Sequence, residues 1–198
     1  MKKAVIFGAT GGIGKATCDA FITAGYLVKP VNSKQIDFAG PTSQAQISEL
    51  LEQNNPNVIV NCAGYFDNGN TEDHFNTMNI NVGSNWSIIK HYIDNTPKHP
   101  VKIIMIGSSA YKAGRKDYIL YAASKSALYN MWQGASEYFS GSNVNVGLIN
   151  PVRTRTPMID MTTTAVCLEP VDVATTILNM ASINSFNLID MKYPEETK

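Results

Sequence analysis

The sequence predicts an α/β fold: a doubly wound parallel β-sheet flanked by helices, formed as a single domain over residues 1–198. Short apolar runs alternate with longer segments of helical periodicity, a pattern typical of parallel sheets built from strand–helix–strand units. The run Val101–Ile106 is almost continuously apolar, as expected of a strand that helices cover on both faces.

Composition narrows the range of partners. Hydrophobic residues make up 44% and charged residues 16% of the chain, which is typical of a globular protein. Lys plus Arg number 16, as do Asp plus Glu, so the formal net charge is zero. Without a basic excess we expect no nucleic-acid or membrane partner. No apolar stretch reaches transmembrane length, and the run behind Met1 is too short for the core of a signal peptide.

The cysteines predict a reducing environment. Cys18, Cys62 and Cys167 are odd in number and far apart, which is neither a disulfide framework nor the spacing of metal ligands. We therefore expect no metal site and a cytoplasmic location.

The first elements follow from glycine and apolar spacing. Ala4–Phe7 is a short apolar run ending at a glycine, which predicts a buried strand. Gly12–Ala24 is predicted to be a helix because Gly25 follows its last apolar residue. Tyr26–Val31 is a second strand, in which Pro30 either weakens the strand or occupies a position that needs no ladder donor.

A shortened crossover is predicted next. Ile36–Phe38 reads as a short third strand, although the residues before it leave no room for a helix, and a parallel crossover usually needs one. Ser43–Gln53 is predicted as a helix with apolar residues on one face, followed by a strand at Val58–Val60. Asn81–Asp94 is predicted as a helix with Trp86, Ile89 and Ile93 on one face.

The C-terminal half continues the alternation. Tyr121–Phe139 is a long helix by its stripe of Leu128, Trp132, Ala135 and Phe139. The remaining elements are predicted at Val144–Ile149 (strand), Val171–Met180 (helix) and Leu188–Ile189 (strand).

Glycines join the first strand to the first helix. A tight turn there brings backbone N–H groups and the positive end of a helix to a pyrophosphate, an approach that side chains would block. The position between a strand and a helix favours this interpretation over a merely flexible loop. The expected dinucleotide contacts are Gly8, Thr10, Gly11, Gly12, Ile13 and Gly14.

A tyrosine and a lysine lie one helical turn apart. Tyr121 and Lys125 project from one face of their helix. An ammonium beside a phenol lowers the pKa of the phenol, so Tyr121 could exchange a proton with a carbonyl or alcohol oxygen. Ser108 follows a buried strand at its carboxyl end, where parallel sheets place ligands, and its hydroxyl could hold the same oxygen. Ser109 is the alternative.

Together these segments resemble the short-chain dehydrogenase/reductase family, of which this chain would be a short member. Gly8, Gly12 and Gly14 have the spacing of its glycine motif. Ser108 precedes Tyr121 by 13 positions, as the catalytic serine and tyrosine do in the family. Residues 61–64, Asn-Cys-Ala-Gly, resemble the family's Asn-Asn-Ala-Gly, and the resemblance implies a Rossmann-like sheet.

The resemblance also implies catalytic roles. Tyr121 would be the general acid/base, Lys125 would lower its pKa and bind ribose, and Ser108 would orient the carbonyl. Asn81 would interrupt a helix and hold a water that relays protons, with Asn79 as the alternative.

Further cofactor contacts are implied by two segments. Asn61, Ala63 and Gly64 would lie beside the dinucleotide. The segment from residue 150 to 158 is similar to the family's loop after the same strand, although Val152 replaces a usual glycine. It implies contacts from Pro151, Val152 and Thr156. In the same loop, Arg153 and Arg155 either recognise an anionic group on cofactor or substrate or are solvated loop charges.

The end of the second strand bears on the choice of dinucleotide. NAD selectivity normally needs a carboxylate there, but the position is about Asn32, followed by Ser33 and Lys34. A lysine could pair with a 2′-phosphate, so we expect NADP, with NAD possible. Asp37 is similar to the acid that bonds the adenine ring.

The resulting prediction is an NADP-dependent oxidoreductase acting on a small-molecule carbonyl or alcohol. We expect a homodimer or homotetramer, because the helices near Trp86–Ile93 and Leu128–Phe139 correspond to those that pair across subunits in the family. The alternatives are a non-catalytic dinucleotide-binding sensor or scaffold, and an epimerase or dehydratase, whose members usually carry a larger substrate domain.

Overall fold

A computed structural model describes residues 1–40, 43–66, 74–159 and 165–193. The strands in these segments are β1 (Lys3–Phe7), β2 (Leu27–Val31), β3 (Val58–Asn61), β4 (Val101–Ile106), β5 (Val144–Asn150) and β6 (Asn187–Asp190). The α-helices are α1 (Gly12–Thr23), α2 (Ser43–Asn54), α3 (His74–Met78), α4 (Ser84–Asp94), α5 (Ile119–Tyr138) and α6 (Pro170–Ala181).

The strands form one parallel sheet in the order β2-β1-β3-β4-β5-β6. Its carboxyl ends therefore share one edge, as ligand-binding α/β sheets require. The predicted fold class, a Rossmann-like doubly wound parallel sheet with helices on both faces, is confirmed. None of the helices within the described segments is long and apolar enough to cross a bilayer.

Two apolar layers hold the helices against the sheet. Alternate residues of a strand point to opposite faces. Ile6 accordingly packs in the layer formed with α1 and α6, where Phe21 and Ile177 are buried. Phe7 packs in the opposite layer with α2, α4 and α5, where Leu128 is buried. The sheet is thus covered on both sides, and its central strands β3 and β4 are buried at every residue.

The predicted third strand at Ile36–Phe38 is wrong. The segment is a turn, in which the Ile36 N–H donates to the Asn32 carbonyl. Ile36 is nevertheless buried in the core, and the Phe38 ring lies 5.5 Å from that of Phe7. The apolar residues that suggested a strand are used to seal the core. No crossover precedes them, so β2 stays at the edge of the sheet, where Pro30 is tolerated.

The helix predicted to begin at Asn81 begins earlier. α3 runs into a π-helical turn at Asn79–Gly83, which continues into α4. The wider turn displaces the apolar periodicity, so the pattern becomes regular only in α4. Of the residues predicted to share one face of this helix, Trp86 is 47% exposed, whereas Ile89 is buried.

We predict that α6 is held by burial of its inner face. Ile177→Ala removes a fully buried side chain, and the lost contacts and the cavity should lower the free energy of unfolding by about 2–5 kcal/mol. Val171→Ala changes a residue that is 60% exposed in the same helix, and its effect should stay within about 0.5 kcal/mol. Urea denaturation monitored by circular dichroism measures both, and equal losses would contradict this packing.

Lys102 should make stability depend on pH. Its side chain is buried in β4 and donates to the Ser185 carbonyl and to Asn187. Burial lowers the pKa of Lys102 from 10.5 to about 8. Between these values the unfolded chain binds more protons than the folded one, so unfolding becomes harder as pH rises.

We predict that the wild-type protein gains up to about 3 kcal/mol over Lys102→Met between pH 8 and pH 10.5. Denaturant titrations across that pH range measure the difference. Lys116→Met, which removes an exposed lysine, is the matched control. A pH dependence that Lys102→Met leaves unchanged would show that the Lys102 ammonium is not desolvated.

Candidate active site

A long cleft runs along the carboxyl edge of the sheet. One part, the glycine-loop side, is about 580 Å³ and is lined by the β1–α1 loop and the end of β2. The other part, the tyrosine side, is about 440 Å³ and is lined by the ends of β4 and β5 and the start of α5. Both parts share the lining residues Ile13, Cys62, Ala63, Gly64, Phe66, Thr156 and Met158.

The glycine loop has no space for a side chain at Gly8 or at Gly14. Gly8 has a φ of +69°, and a Cβ there would lie 2.6 Å from the Ala63 backbone nitrogen. A Cβ on Gly14 would lie 2.1 Å from the Gly8 carbonyl oxygen. Within the described part of the chain, no side chain caps the N-terminus of α1 at Gly11, so its first N–H groups remain available for an anion. These features fit a dinucleotide pyrophosphate. The predicted contacts line this side: Gly8, Thr10, Gly11, Gly12, Ile13 and Gly14.

The end of β3 is held in place by the hydrogen bonds of a buried asparagine, Asn61. The Asn61 amide donates to Ser84 Oγ at 2.8 Å, and its Oδ1 accepts from the Ala63 N–H at 3.1 Å. Asn61 is buried and lies outside the lining, whereas Ala63 and Gly64 line both sides. Asn61 therefore acts on the cleft through the backbone that it holds.

The loop after β5 completes the cleft. Pro151 and Val152 line the tyrosine side, and Thr156 lines both sides. A Cβ on Gly12 would lie 2.8 Å from Thr156 Cγ2, so the loop closes directly against the glycine loop.

Ser108, Tyr121 and Lys125 converge on the tyrosine side. The Ser108 hydroxyl lies close enough to the Tyr121 phenol to lower its pKa, and it accepts a hydrogen bond from the Ala110 N–H at 3.1 Å. The Lys125 ammonium donates to the Ile106 carbonyl at 3.0 Å and lies 5.5 Å from the centre of the Tyr121 ring. Helix α5 thus presents its first turn to the end of β4.

The charge states differ from the simplest expectation. Burial raises the pKa of Tyr121, and the nearby Tyr118 phenol raises it further. The Ser108 hydroxyl lowers it, but the net shift is upward. Burial also lowers the pKa of Lys125 to about 8. The expected lowering of the Tyr121 pKa by Lys125 is therefore not seen, because burial dominates both groups. The phenol is protonated at neutral pH.

Asn81 links the segment after β3 to helix α5 by hydrogen bonds. Its amide donates to the Tyr65 carbonyl at 2.9 Å and to Ser124 Oγ at 3.0 Å, while its Oδ1 accepts from the Tyr65 N–H. Ser124 in turn donates to the Tyr121 carbonyl at 2.7 Å. Asn81 is fully buried, whereas its alternative Asn79 is exposed.

The residues after β2 form a tight turn. The Lys34 N–H donates to Asn32 Oδ1 at 3.0 Å, and the Ala39 N–H donates to the Asp37 carboxylate at 3.0 Å. Asn32, Ser33 and Asp37 line the glycine-loop side. Lys34 is exposed and lies outside that lining.

The sequence did not predict a chain of hydrogen bonds that joins the ends of β4, β5 and β6. Asn150 is buried at the end of β5, where its Oδ1 accepts from the Ser108 N–H at 3.2 Å and its amide donates to Asp190 at 3.0 Å. A Cβ on Gly107 would lie 1.9 Å from Asn150 Oδ1. The available signal was a polar residue at the carboxyl end of each apolar strand, the position already used to single out Ser108.

An aromatic side chain was also missed. The Phe66 ring lies 4.9 Å from the Tyr121 ring, edge to face, and 5.4 Å from the Tyr118 ring. It lines both sides of the cleft. Nothing in its sequence surroundings marks Phe66, because the contact joins distant segments.

The two arginines predicted as a pair have different surroundings. Arg155 Nε donates to Glu169 at 2.9 Å, so its charge is already matched. Arg153 lines the tyrosine side of the cleft, as does Arg115 from the loop before α5.

Comparisons with known proteins identify the family of this chain. The family model described as short chain dehydrogenase matches residues 2–166. The chain is 28% identical over 176 residues to the 2,3-dihydro-2,3-dihydroxybenzoate dehydrogenase of Escherichia coli (strain K12), covering 79% of this chain and 71% of that protein. It is 34% identical over 97 residues to the bifunctional ribulose 5-phosphate reductase/CDP-ribitol pyrophosphorylase Bcs1 of Haemophilus influenzae. That match covers 45% of this chain and only 20% of the bifunctional protein.

Solved structures share the fold. A 4-hydroxyisoleucine dehydrogenase complexed with NADH has a TM-score of 0.81 at 20% identity, covering 96% of this chain and 97% of that one. BdcA in complex with NADPH has a TM-score of 0.79 at 19% identity, covering 97% and 94%.

The family model spans most of the chain, and the fold, the glycine loop and the relatives agree with it. The chain therefore belongs to the short-chain dehydrogenase family and is an NAD(P)-dependent oxidoreductase.

Proposed function

We propose that this protein reduces a carbonyl group of a small molecule, with Tyr121 as the proton donor. The observation that carries the proposal is the meeting of Ser108, Tyr121 and Lys125 on one side of a cleft whose other side is the glycine loop. A dinucleotide laid along this cleft would bring its reactive ring to the tyrosine side.

The phenol of Tyr121 is the proton source that reduction requires. It carries its proton at neutral pH and can donate it to a carbonyl oxygen. When bound, the dinucleotide supplies a hydride to the carbonyl carbon. Ser108 would hold the same oxygen by a hydrogen bond that strengthens as negative charge develops there. The product is the corresponding alcohol, with one hydride and one proton added.

Lys125 and Asn81 would support this step. The Lys125 amine lies buried beside the Tyr121 ring, where it could bond a ribose hydroxyl and stabilise the phenolate left after proton transfer. Asn81 is tied to α5 through Ser124. A water relay from Lys125 through Asn81 stays a prediction. In the structure the Asn81 side-chain oxygen already bonds Tyr65, and its nitrogen already bonds Tyr65 and Ser124.

We further propose NADP rather than NAD. The neutral Asn32 and Ser33 stand where NAD selectivity requires a carboxylate. Among the described residues only the backbone N–H of Lys34 has a hydrogen-bond partner, so its side chain can turn toward a 2′-phosphate. Asp37 also lines this part of the cleft and would be unfavourable close to that phosphate. We therefore assign Asp37 to the adenine ring.

We also propose self-association, as a homodimer or homotetramer in the cytoplasm. Phe75 and Trp86, on α3 and α4, are 70% and 47% exposed. Apolar side chains of this size on neighbouring helices are commonly covered by a second subunit.

Removing the phenol should separate catalysis from binding. We expect Tyr121→Phe to lower kcat at least about 100-fold on a panel of aldehydes, ketones, ketoses and keto acids. The NADPH Kd, measured by fluorescence titration, should stay within the same order of magnitude as that of the wild type. Tyr118→Phe removes a neighbouring phenol of the same cleft and should cost much less. Retained turnover in Tyr121→Phe would refute its role. NADPH binding without wild-type turnover would instead favour a sensor.

The dinucleotide preference can be reversed at the end of β2. We expect wild-type kcat/KM to favour NADPH over NADH, and Lys34→Gln to reduce the preference about tenfold, the effect of losing one charge-assisted hydrogen bond. Asn32→Asp should favour NADH, because a carboxylate bonds the ribose diol and repels a phosphate. Lys116→Gln, outside both linings, is the control. A wild-type preference for NADH would overturn the assignment.

A further inference from the structure

Arginine is scarce in this chain and concentrated at the cleft. Only three of the 16 basic residues are arginines, namely Arg115, Arg153 and Arg155. Arg115 and Arg153 both line the tyrosine side. Both are exposed, and neither guanidinium has a hydrogen-bond or ion-pair partner among the described residues. Arg155, in contrast, is paired with Glu169.

The same lining is positively charged. Besides the two arginines it contains Lys125, and none of its described members is an Asp or Glu. The chain as a whole has no net charge, so this one-sided distribution is local. Clefts lined by one sign of charge concentrate ligands of the opposite sign.

We propose that the substrate carries a phosphate monoester, which Arg115 and Arg153 bind while its carbonyl lies against Ser108 and Tyr121. The proposal rests on the proposed reductase function and specifies its substrate class. The two arginines come from the loops that follow β4 and β5, the strand ends that also position Ser108. Guanidinium groups offer forked donors to phosphate oxygens. Two of them match a dianion, whereas a single carboxylate is satisfied by one.

The alternative ligand for Arg153 is the dinucleotide itself, since its neighbours Pro151 and Val152 are expected cofactor contacts. The anionic part of the dinucleotide that an arginine would bind is its phosphates, and the position of Arg153 argues against a contact with the pyrophosphate. It lines the tyrosine side only, whereas the helix N-terminus suited to the pyrophosphate lines the glycine-loop side. Arg115 is likewise restricted to the tyrosine side.

Steady-state kinetics with NADPH test the proposal on ketoses of three to six carbons, each with and without a terminal phosphate. Wild-type kcat/KM should favour the phosphorylated member. The ratio between the two members should fall about 10- to 100-fold in Arg115→Gln and in Arg153→Gln, as expected for one charge-assisted contact each. Arg155→Gln is the matched control and should keep the wild-type ratio.

A binding measurement keeps the test independent of turnover. The wild-type NADPH complex is treated with phenylglyoxal, and mass spectrometry follows modification of each arginine. Inorganic phosphate should protect Arg115 and Arg153 but not Arg155. Protection without turnover of any ketose would leave the anion site standing and count against the reductase function.

Four results would overturn the phosphate site. One is equal turnover of both members of each ketose pair, which would leave the reductase function intact. Another is preference for 2-keto acids over phosphorylated ketoses. The third is no protection by phosphate, and the fourth is an Arg153→Gln effect confined to the NADPH Kd.

Discussion

The hydrogen bond from the Lys125 ammonium to the Ile106 carbonyl determines the geometry of the site. Ile106 is the last residue of β4, two positions before Ser108, and Lys125 lies one helical turn after Tyr121. One contact therefore joins the strand that carries the serine to the helix that carries the tyrosine. Because the Lys125 side chain is buried, the bond is shielded from water, and breaking it would leave a polar group unsatisfied at high cost.

Two further polar contacts restrict the same elements. Asn81 bonds Ser124 on the buried side of α5, so the helix is fixed both at its inner face and at the cleft. Asn150 bonds the Ser108 N–H and is itself held by Asp190 from the neighbouring strand. Apolar packing places the helices on the sheet, but it is weakly directional. Directional hydrogen bonds are what align two hydroxyl groups to the accuracy that proton transfer requires.

The parts of the fold and of the site that could be predicted are those that local sequence patterns specify. Strand–helix alternation predicted the parallel sheet, and the order of glycine loop, Ser108 and Tyr121 indicated the cleft. The failures have physical causes. Ile36 and Phe38 are apolar because they seal the core from a turn, and periodicity alone does not distinguish that use from a strand. The raised pKa of Tyr121 depends on how deeply the helix packs. Phe66 and Asp190 act through contacts between residues far apart in the chain, which spacing does not reveal.

The shortened segment after β2 lines one part of the cleft and leaves the other part to different loops. Since no strand of the described residues lies beyond β2, the glycine-loop side is bounded there by the turn around Asn32 and Asp37. The conformation of this turn depends on its own side-chain caps. The tyrosine side is bounded by the loops after β4 and β5, which carry Arg115 and Arg153. Cofactor choice and substrate charge therefore reside in different loops, and Asn32, Asp37, Arg115 and Arg153 themselves lie outside the apolar layers. Substitutions in either loop can change recognition while the Lys125–Ile106 contact continues to hold the reacting groups in place.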